Sequence, residues 1–348
     1  MNSISLPIRP KEAVGSILKA LPNKRLRDVI EKRFGIKGAS MTLDAIGKSY
    51  GITRERVRQI ENDAVKHLKK SEASAYLAPV FRAMYDHIKN HGGVVSRTDF
   101  IASVGSRDEA PHIELLLHLS PDIKVSPETD DHQARVYVDK DAHLASEKIL
   151  KDLVSRLDAG KKLLSFQELA TLASDIHHSV SGQRPAAEIL ATRIGISKNI
   201  RQNPYQEFGL VSWPTVQPKS IRDKAYVVLM KAGKPMHFQE VASAIDKSGF
   251  RGKKKAHPQT VHNELIKDSQ RFVLVGRGLY ALKEWGYQPG TVKDVIQDIL
   301  RKESKGMTRD QIIQAVKSRR FVKENTILLN LQNKTHFKKG SDGTYFLA

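Results

Sequence analysis

The residues with the clearest chemical potential lie between Thr42 and Lys70, in the segment TLDAIGKSYGITRERVRQIENDAVKHLKK. Leu43, Ile46, Ile52, Val57 and Ile60 recur at helical spacing and predict two helices sharing one core. Gly51 falls between them, where a tight turn needs a left-handed residue, and Ala45 is small enough to let the helices approach. Thr42 and Thr53 are N-cap types. A helix opened at Thr53 presents Arg54, Glu55, Arg58 and Gln59 at its outer N-terminal end. These side chains suit base edges: Arg pairs bidentately with guanine, Gln reaches adenine, and Glu accepts from the cytosine amino group. The positive end of the helix also favours phosphate. The same types decorate ordinary solvated helices, so periodicity alone leaves both readings open.

Other chemistry is sparse. The 348 residues contain no cysteine, which excludes disulfides, iron–sulfur clusters and thiolate zinc sites and fits a reducing compartment. His177/His178 and Asp130-Asp131-His132 lack a third ligand at finger-like or helical spacing, so no metal is expected. No phosphate-binding GxxxxGK[ST] loop and no GxSxG elbow occurs. Asp130-Asp131 and Asp139-Lys140-Asp141 come nearest to a carboxylate cluster, but they fall in an expected β-wing. The chain is therefore read as a non-enzyme without a cofactor or small-molecule substrate.

Charge points to a polyanion. The net charge is +20, and it is segregated. Residues 1–75 carry +8, 76–217 carry −2, 218–286 carry +8 and 287–348 carry +6. Both ends are thus drawn to phosphate polymers, while the middle is neutral. No apolar run approaches the ~20 residues that span a bilayer. The opening MNSISLPIRPKEA has no secretory apolar core. A cytoplasmic, nucleoid-associated protein that does not engage membranes is expected.

The positioning elements read as mainly α. Residues 1–75 predict a four-helix helix-turn-helix domain, with Leu26, Val29, Ile30 and Phe34 on one face of the second helix. A pattern of three helices and a β-rich end then recurs four times, over 76–142, 143–217, 218–286 and 287–348. This is the winged-helix plan. Gly276-Arg277-Gly278 and Gly340-Ser341-Asp342-Gly343 are its wing turns. Linkers are expected near Ser71–Ala75, His143–Ala145, Pro214–Pro218 and Gly286–Gly290. No sustained heptads predict a coiled-coil dimer.

LPNKRLRDVIEKRFGI, TLDAIGKSYGITRERVRQIE and AVKHLKK together make residues 21–70 resemble region 4 of the sigma-70 family of bacterial RNA polymerase initiation factors. That resemblance implies a recognition helix in the major groove of a promoter −35 element. It implies base reading by Arg54, Glu55, Arg58 and Gln59, and backbone contact by Thr53, Arg56 and Lys66. It also implies a partner, the flap of the polymerase β subunit. Leu26, Val29, Ile30 and Phe34 could form the docking face or internal core, and core is the expectation for most of them. No segment with the aromatic cluster that melts a −10 element is found, so the chain is not expected to open a promoter alone.

The third copy, through Thr260, Asn263-Glu264-Leu265, Phe272, Gly276, Gly278-Leu279-Tyr280, Leu282 and Trp285, resembles the HARE-type helix-turn-helix. That module is shared by the RNA polymerase delta subunit, some chromatin proteins and some restriction enzymes. Phe272, Tyr280 and Trp285 are expected in the core. Arg251, Lys253, Lys254 and Lys255 precede its third helix, either as phosphate contacts or as a solvated loop. The leading expectation is a transcription regulator that reads a −35-like duplex. The alternatives are a polymerase adaptor with little DNA specificity and a DNA-recognition protein of restriction or genome maintenance.

Overall fold

The computed structural model describes residues 1–70, 72–250, 255–287, 290–303, 305–320 and 322–348. These residues form sixteen α-helices and four small antiparallel sheets. The head contains α1 (Pro10–Lys19), α2 (Lys24–Phe34), α3 (Leu43–Tyr50) and α4 (Arg54–Lys70). Local chemistry sets these limits. Asn23 accepts the Leu26 amide at 2.9 Å, and Thr42 and Thr53 accept the Ala45 and Arg56 amides at 3.2 Å. Gly35 (φ 76°) and Gly51 (φ 65°) end α2 and α3 in left-handed conformation.

The close approach in the helix-turn-helix lies at Gly47, two residues beyond Ala45, where the sequence placed it. A Cβ on Gly47 would sit 2.7 Å from the Ile52 carbonyl oxygen, so the turn folds back onto α3 only because residue 47 lacks a side chain.

The first winged-helix module comprises α5 (Glu72–Asn90), β1 (Val94–Ser96), α6 (Arg97–Val104), α7 (Ala110–Leu119), β2 (Lys124–Ser126) and β3 (Arg135–Tyr137). The second has α8 (Lys140–Gly160), α9 (Phe166–Ser181), α10 (Ala187–Ile196), β4 (Ile200–Gln202) and β5 (Phe208–Leu210). The third has α11 (Ile221–Ala232), β6 (Met236–His237), α12 (Phe238–Lys247), α13 (Pro258–Lys267), β7 (Phe272–Gly276) and β8 (Leu279–Leu282). The fourth has α14 (Val292–Lys302), α15 (Arg309–Lys317), α16 (Glu324–Leu331), β9 (Phe337–Lys339) and β10 (Tyr345–Leu347).

Each copy also contains a feature the sequence pattern does not reveal. A short strand or single bridge before the second helix pairs with the wing: β1 with β3, Leu164 with Phe208, β6 with β8, and Met307 with Tyr345. Segments of one to three residues show no periodicity, so no pattern marks them.

The chain divides into two compact units, residues 1–201 with 208–210, and residues 202–207 with 211–348. In the first, the core does not stop at residue 75. Ala13, Val29, Ile46 and Val57 belong to one cluster with Leu77, Met84, Leu116 and Val136. The linker expected near Ser71–Ala75 is replaced by α5, which starts at Glu72; Ser71 itself lies outside the described residues. The one expected at His143–Ala145 lies inside α8, whose cap is Asp139. In the second unit the third and fourth modules keep separate cores, around Val241 and Tyr280 in one and Ile296 and Ile312 in the other.

Candidate nucleic-acid interface

α4 is amphipathic, and its two faces do different work. Val57, Ile60, Ala64 and Leu68 are buried, while Arg54, Glu55, Arg56, Arg58, Gln59 and Lys66 are all exposed. The helix is held from behind by α2, α3 and α7. Arg33 reaches Glu61 at 3.4 Å, and Lys32 sits 4.4 Å over the Tyr50 ring, tying α2 to both helices of the motif. The first turn of α4 and its Thr53 cap therefore project from a fixed support.

The predicted reading residues are paired with one another. Arg58 donates from Nε to Glu55 Oε2 at 2.8 Å and from Nη2 to Oε1 at 2.6 Å. Arg56 Nη1 donates to Gln59 Oε1 at 3.0 Å. The hydrogen bonds from Arg58 hold the Glu55 carboxyl below its ordinary pKa, and Glu55 raises that of Arg58. Both side chains remain more than half exposed, at 53% and 58%, so the pair is loosely held and can be exchanged for base contacts. Arg54 and Lys66 stand on the solvent face for a phosphate backbone to reach.

The apolar face of α2 is core. Leu26, Val29 and Ile30 are buried, and Phe34 packs against His118 of α7 with ring centroids 5.6 Å apart. No residue of that set is left exposed for a partner.

Of the basic cluster before α13, Lys255 is exposed; Arg251, Lys253 and Lys254 lie outside the described residues. Phe272 and Tyr280 are core, and Trp285 packs half-buried beside them. Gly278 shapes the wing with φ 70°. Gly276 instead follows a β-bulge between Leu274 and the Leu279 partner.

The acidic clusters have structural partners. Asp139 accepts the amides of Asp141 and Ala142 at 2.8 and 3.0 Å, a helix cap. Asp131 accepts from Asn199 Nδ2 at 2.9 Å. His177 is buried and bonded to the Gln183 carbonyl at 2.8 Å. Among the described residues no three His, Cys, Asp or Glu side chains converge as metal ligands, and no helix is long and apolar enough to cross a membrane.

Sequence reasoning missed the buried arginines. Arg135, Arg193 and Arg320 are 2%, 6% and 5% exposed, at the junctions between successive modules. Nothing in their local sequence separates them from surface arginines.

The fold and the exposed face define a helix-turn-helix protein carrying tandem winged-helix modules. Residues 17–70 match the family model of sigma-70 region 4, and residues 219–285 match that of the HARE-type HTH domain of ASXL and restriction endonuclease proteins. Relatives include the RNA polymerase sigma factor RpoD from two strains of Helicobacter pylori, each 40% identical over 74 residues, 21% of this chain and 11% of the relative. RNA polymerase sigma factor SigA of a Bacillus species is 40% identical over 68 residues, 19% of this chain and 18% of the relative. The chain thus spans less than a fifth of the length of these relatives.

Proposed function

We propose that the chain is a DNA-binding, sigma-like transcription factor that reads a −35-like duplex element with α4, as a regulator or accessory factor of bacterial RNA polymerase. The observation that carries this reading is the outward row Arg54, Glu55, Arg58 and Gln59 on a helix packed from behind by α7. Those are the side-chain types that read major-groove edges, and they sit on the matched region 4 segment. Thr53, Arg56 and Lys66 would hold the backbone. The first unit supplies a rigid mount, because head and first module share one core.

An adaptor that grips the polymerase flap through α2 is less favoured. Leu26, Val29, Ile30 and Phe34 already pack inside the chain. Polymerase contact, if made by the head, would use its exposed polar surface.

The test is selection from random DNA duplexes with the whole chain, paired with capture on RNA polymerase. The expected outcome is a defined motif that weakens in Arg58→Ala, together with polymerase capture. Binding without any sequence preference would remove the reading. A motif without polymerase capture would move the protein to DNA recognition outside transcription.

A further inference from the structure

Four copies of one plan allow their third helices to be compared, and they have different fates. In the first module, α7 buries His112, Ile113, Leu115, Leu116, Leu117 and Leu119 and packs on α1, α2 and α4. In the second, α10 buries Leu190, Thr192, Arg193, Ile194 and Ile196 and packs on β1, with Arg193 donating to the Gly92 carbonyl at 3.3 Å. The wing of the first module is also occupied, because Lys198 grips Glu128 and the Thr129 carbonyl at 2.9 Å each. Helices and wing that could enter a groove here build the first unit instead.

α13 differs. Only Val261 and Leu265 are buried, while Gln259, Thr260, Asn263 and Lys267 lie toward solvent. Gln259 Nε2 donates to Asn263 Oδ1 at 3.3 Å, so two primary amides stand one turn apart on the same outer face. A primary amide matches the N6/N7 edge of adenine with two hydrogen bonds. The neighbouring wing is rigidly placed. A chain of rings, His237 to Phe238 (4.4 Å), Phe238 to His262 (4.6 Å) and His262 to Tyr280 (5.7 Å), connects α12, α13 and β8. Gly278 fits over His237 so closely that a Cβ would lie 2.5 Å from Nε2. Arg277 at the wing tip and Lys255 before α13 are both exposed. The segment 218–286 carries +8, against −2 for 76–217.

We infer that the third module is a second, independent duplex-DNA reader, with Gln259 and Asn263 on adenine edges and Lys255 and Arg277 on flanking phosphates. Its target is B-form DNA, whose major groove admits a helix, whereas the major groove of duplex RNA is too narrow.

The experiment uses the full chain with the head disabled by Arg58→Ala and Gln59→Ala, selected against random duplexes. A residual adenine-containing motif is expected. Adding Gln259→Glu and Asn263→Asp, which keep shape but remove the amide donors, should cut preference for that motif by about tenfold or more. Lys255→Ala with Arg277→Ala should weaken all duplexes alike and shrink the log–log salt slope by about two. The inference is overturned if the head-disabled chain selects no motif. A motif that survives both amide substitutions, or a preference for duplex RNA, overturns it equally. Because the unmodified head is scored separately by its own motif, failure here leaves the α4 reading standing, and the reverse holds too.

Discussion

Arg320→Ala tests how the second unit is joined. The side chain is 5% exposed, and its guanidinium is met by backbone carbonyls. Nε donates to Val275 at 3.2 Å, Nη2 to Leu274 at 3.4 Å, and Nη1 to Gly290. Val275 sits at the β-bulge, where the register slips between Leu274 and Gly276 and the sheet partner is lost. Arg320 thus supplies from the fourth module a donor that β8 does not. Burial lowers its pKa, opposed by Asp294, yet an arginine stays charged at neutral pH. Two opposing effects set the magnitude. Hydrogen bonds to a charged group contribute about 1.5–3 kcal/mol each, less at these lengths, while burying the cation costs several kcal/mol. The intact interaction is therefore worth little net. Truncation is different, because it strands the carbonyls and opens a cavity, for a loss of about 2–4 kcal/mol. Trp213 and Trp285 are the two tryptophans of the chain and both belong to this unit, so tryptophan fluorescence in urea follows its unfolding. The midpoint should fall by roughly 1–2 M. Arg320→Met refills the space without donors and should recover only part of the loss. A midpoint for Arg320→Ala within about 0.5 kcal/mol of the parent refutes the argument.

Arg58→Ala should leave folding unchanged and reduce discrimination at one base position by about tenfold, read as relative affinities for single-base variants of the selected site. Unaltered discrimination would show that Arg58 only balances Glu55. Acid should weaken the first unit. His87 is buried against Ser103 and beside His91, and desolvation lowers its pKa to about 4. Its folded pKa lies below the unfolded value near 6.5, so the unfolded chain binds the extra proton. Stability is complete above about pH 6.5 and is lost as pH falls to about 4, by about 3 kcal/mol from this residue. His112, His118, His132, His143 and His177, in the same unit, are shifted down by burial as well. Urea midpoints by circular dichroism across this range should drop, and His87→Leu should flatten the slope; a pH-independent midpoint contradicts the assignment. Gly278→Ala should cost about 1–3 kcal/mol in the tryptophan-monitored transition, because φ is 70° and the Cβ meets His237. A neutral result would mean the wing turn relaxes freely.

The head was legible because its determinants are local. Asn23, Thr42 and Thr53 cap from within three residues, and Gly35 and Gly51 stop helices by their own φ. Wing core residues such as Phe272 and Tyr280 could also be read, since aromatic residues in a β-rich end have one place to go. What escaped the sequence is long-range. The fused core of head and first module depends on α7 meeting α1, α2 and α4, contacts that span many tens of residues. One signal was present: Leu115, Leu116, Leu117 and Leu119 make α7 apolar around its circumference, which marks burial on more than one side. Arg135, Arg193 and Arg320 gave no such hint, since an arginine that will be buried and one that will be solvated are identical in composition and spacing.

The neutral middle acquires a function from this contrast. A winged helix has two surfaces to satisfy, an inner face that must be buried and an outer face on the third helix that can be spent on a ligand. In α7 and α10 the outer face is used for intramolecular packing, and the segment that holds them has lost its positive charge. In α13 the outer face is polar and open to solvent, within a segment of net +8. A protein using all four modules on DNA would gain nothing by neutralising two of them. One that uses the first two to fix α4 would benefit, because a basic mount would bind phosphate non-specifically and compete with the reading register of Arg58 and Gln59. Restoring charge there therefore makes a decisive comparison: Asp130→Lys with Glu109→Lys, both exposed or partly exposed on the first module, should raise affinity for all duplexes while lowering the ratio of specific to random binding. A raised ratio would contradict the mount and place the first module on DNA.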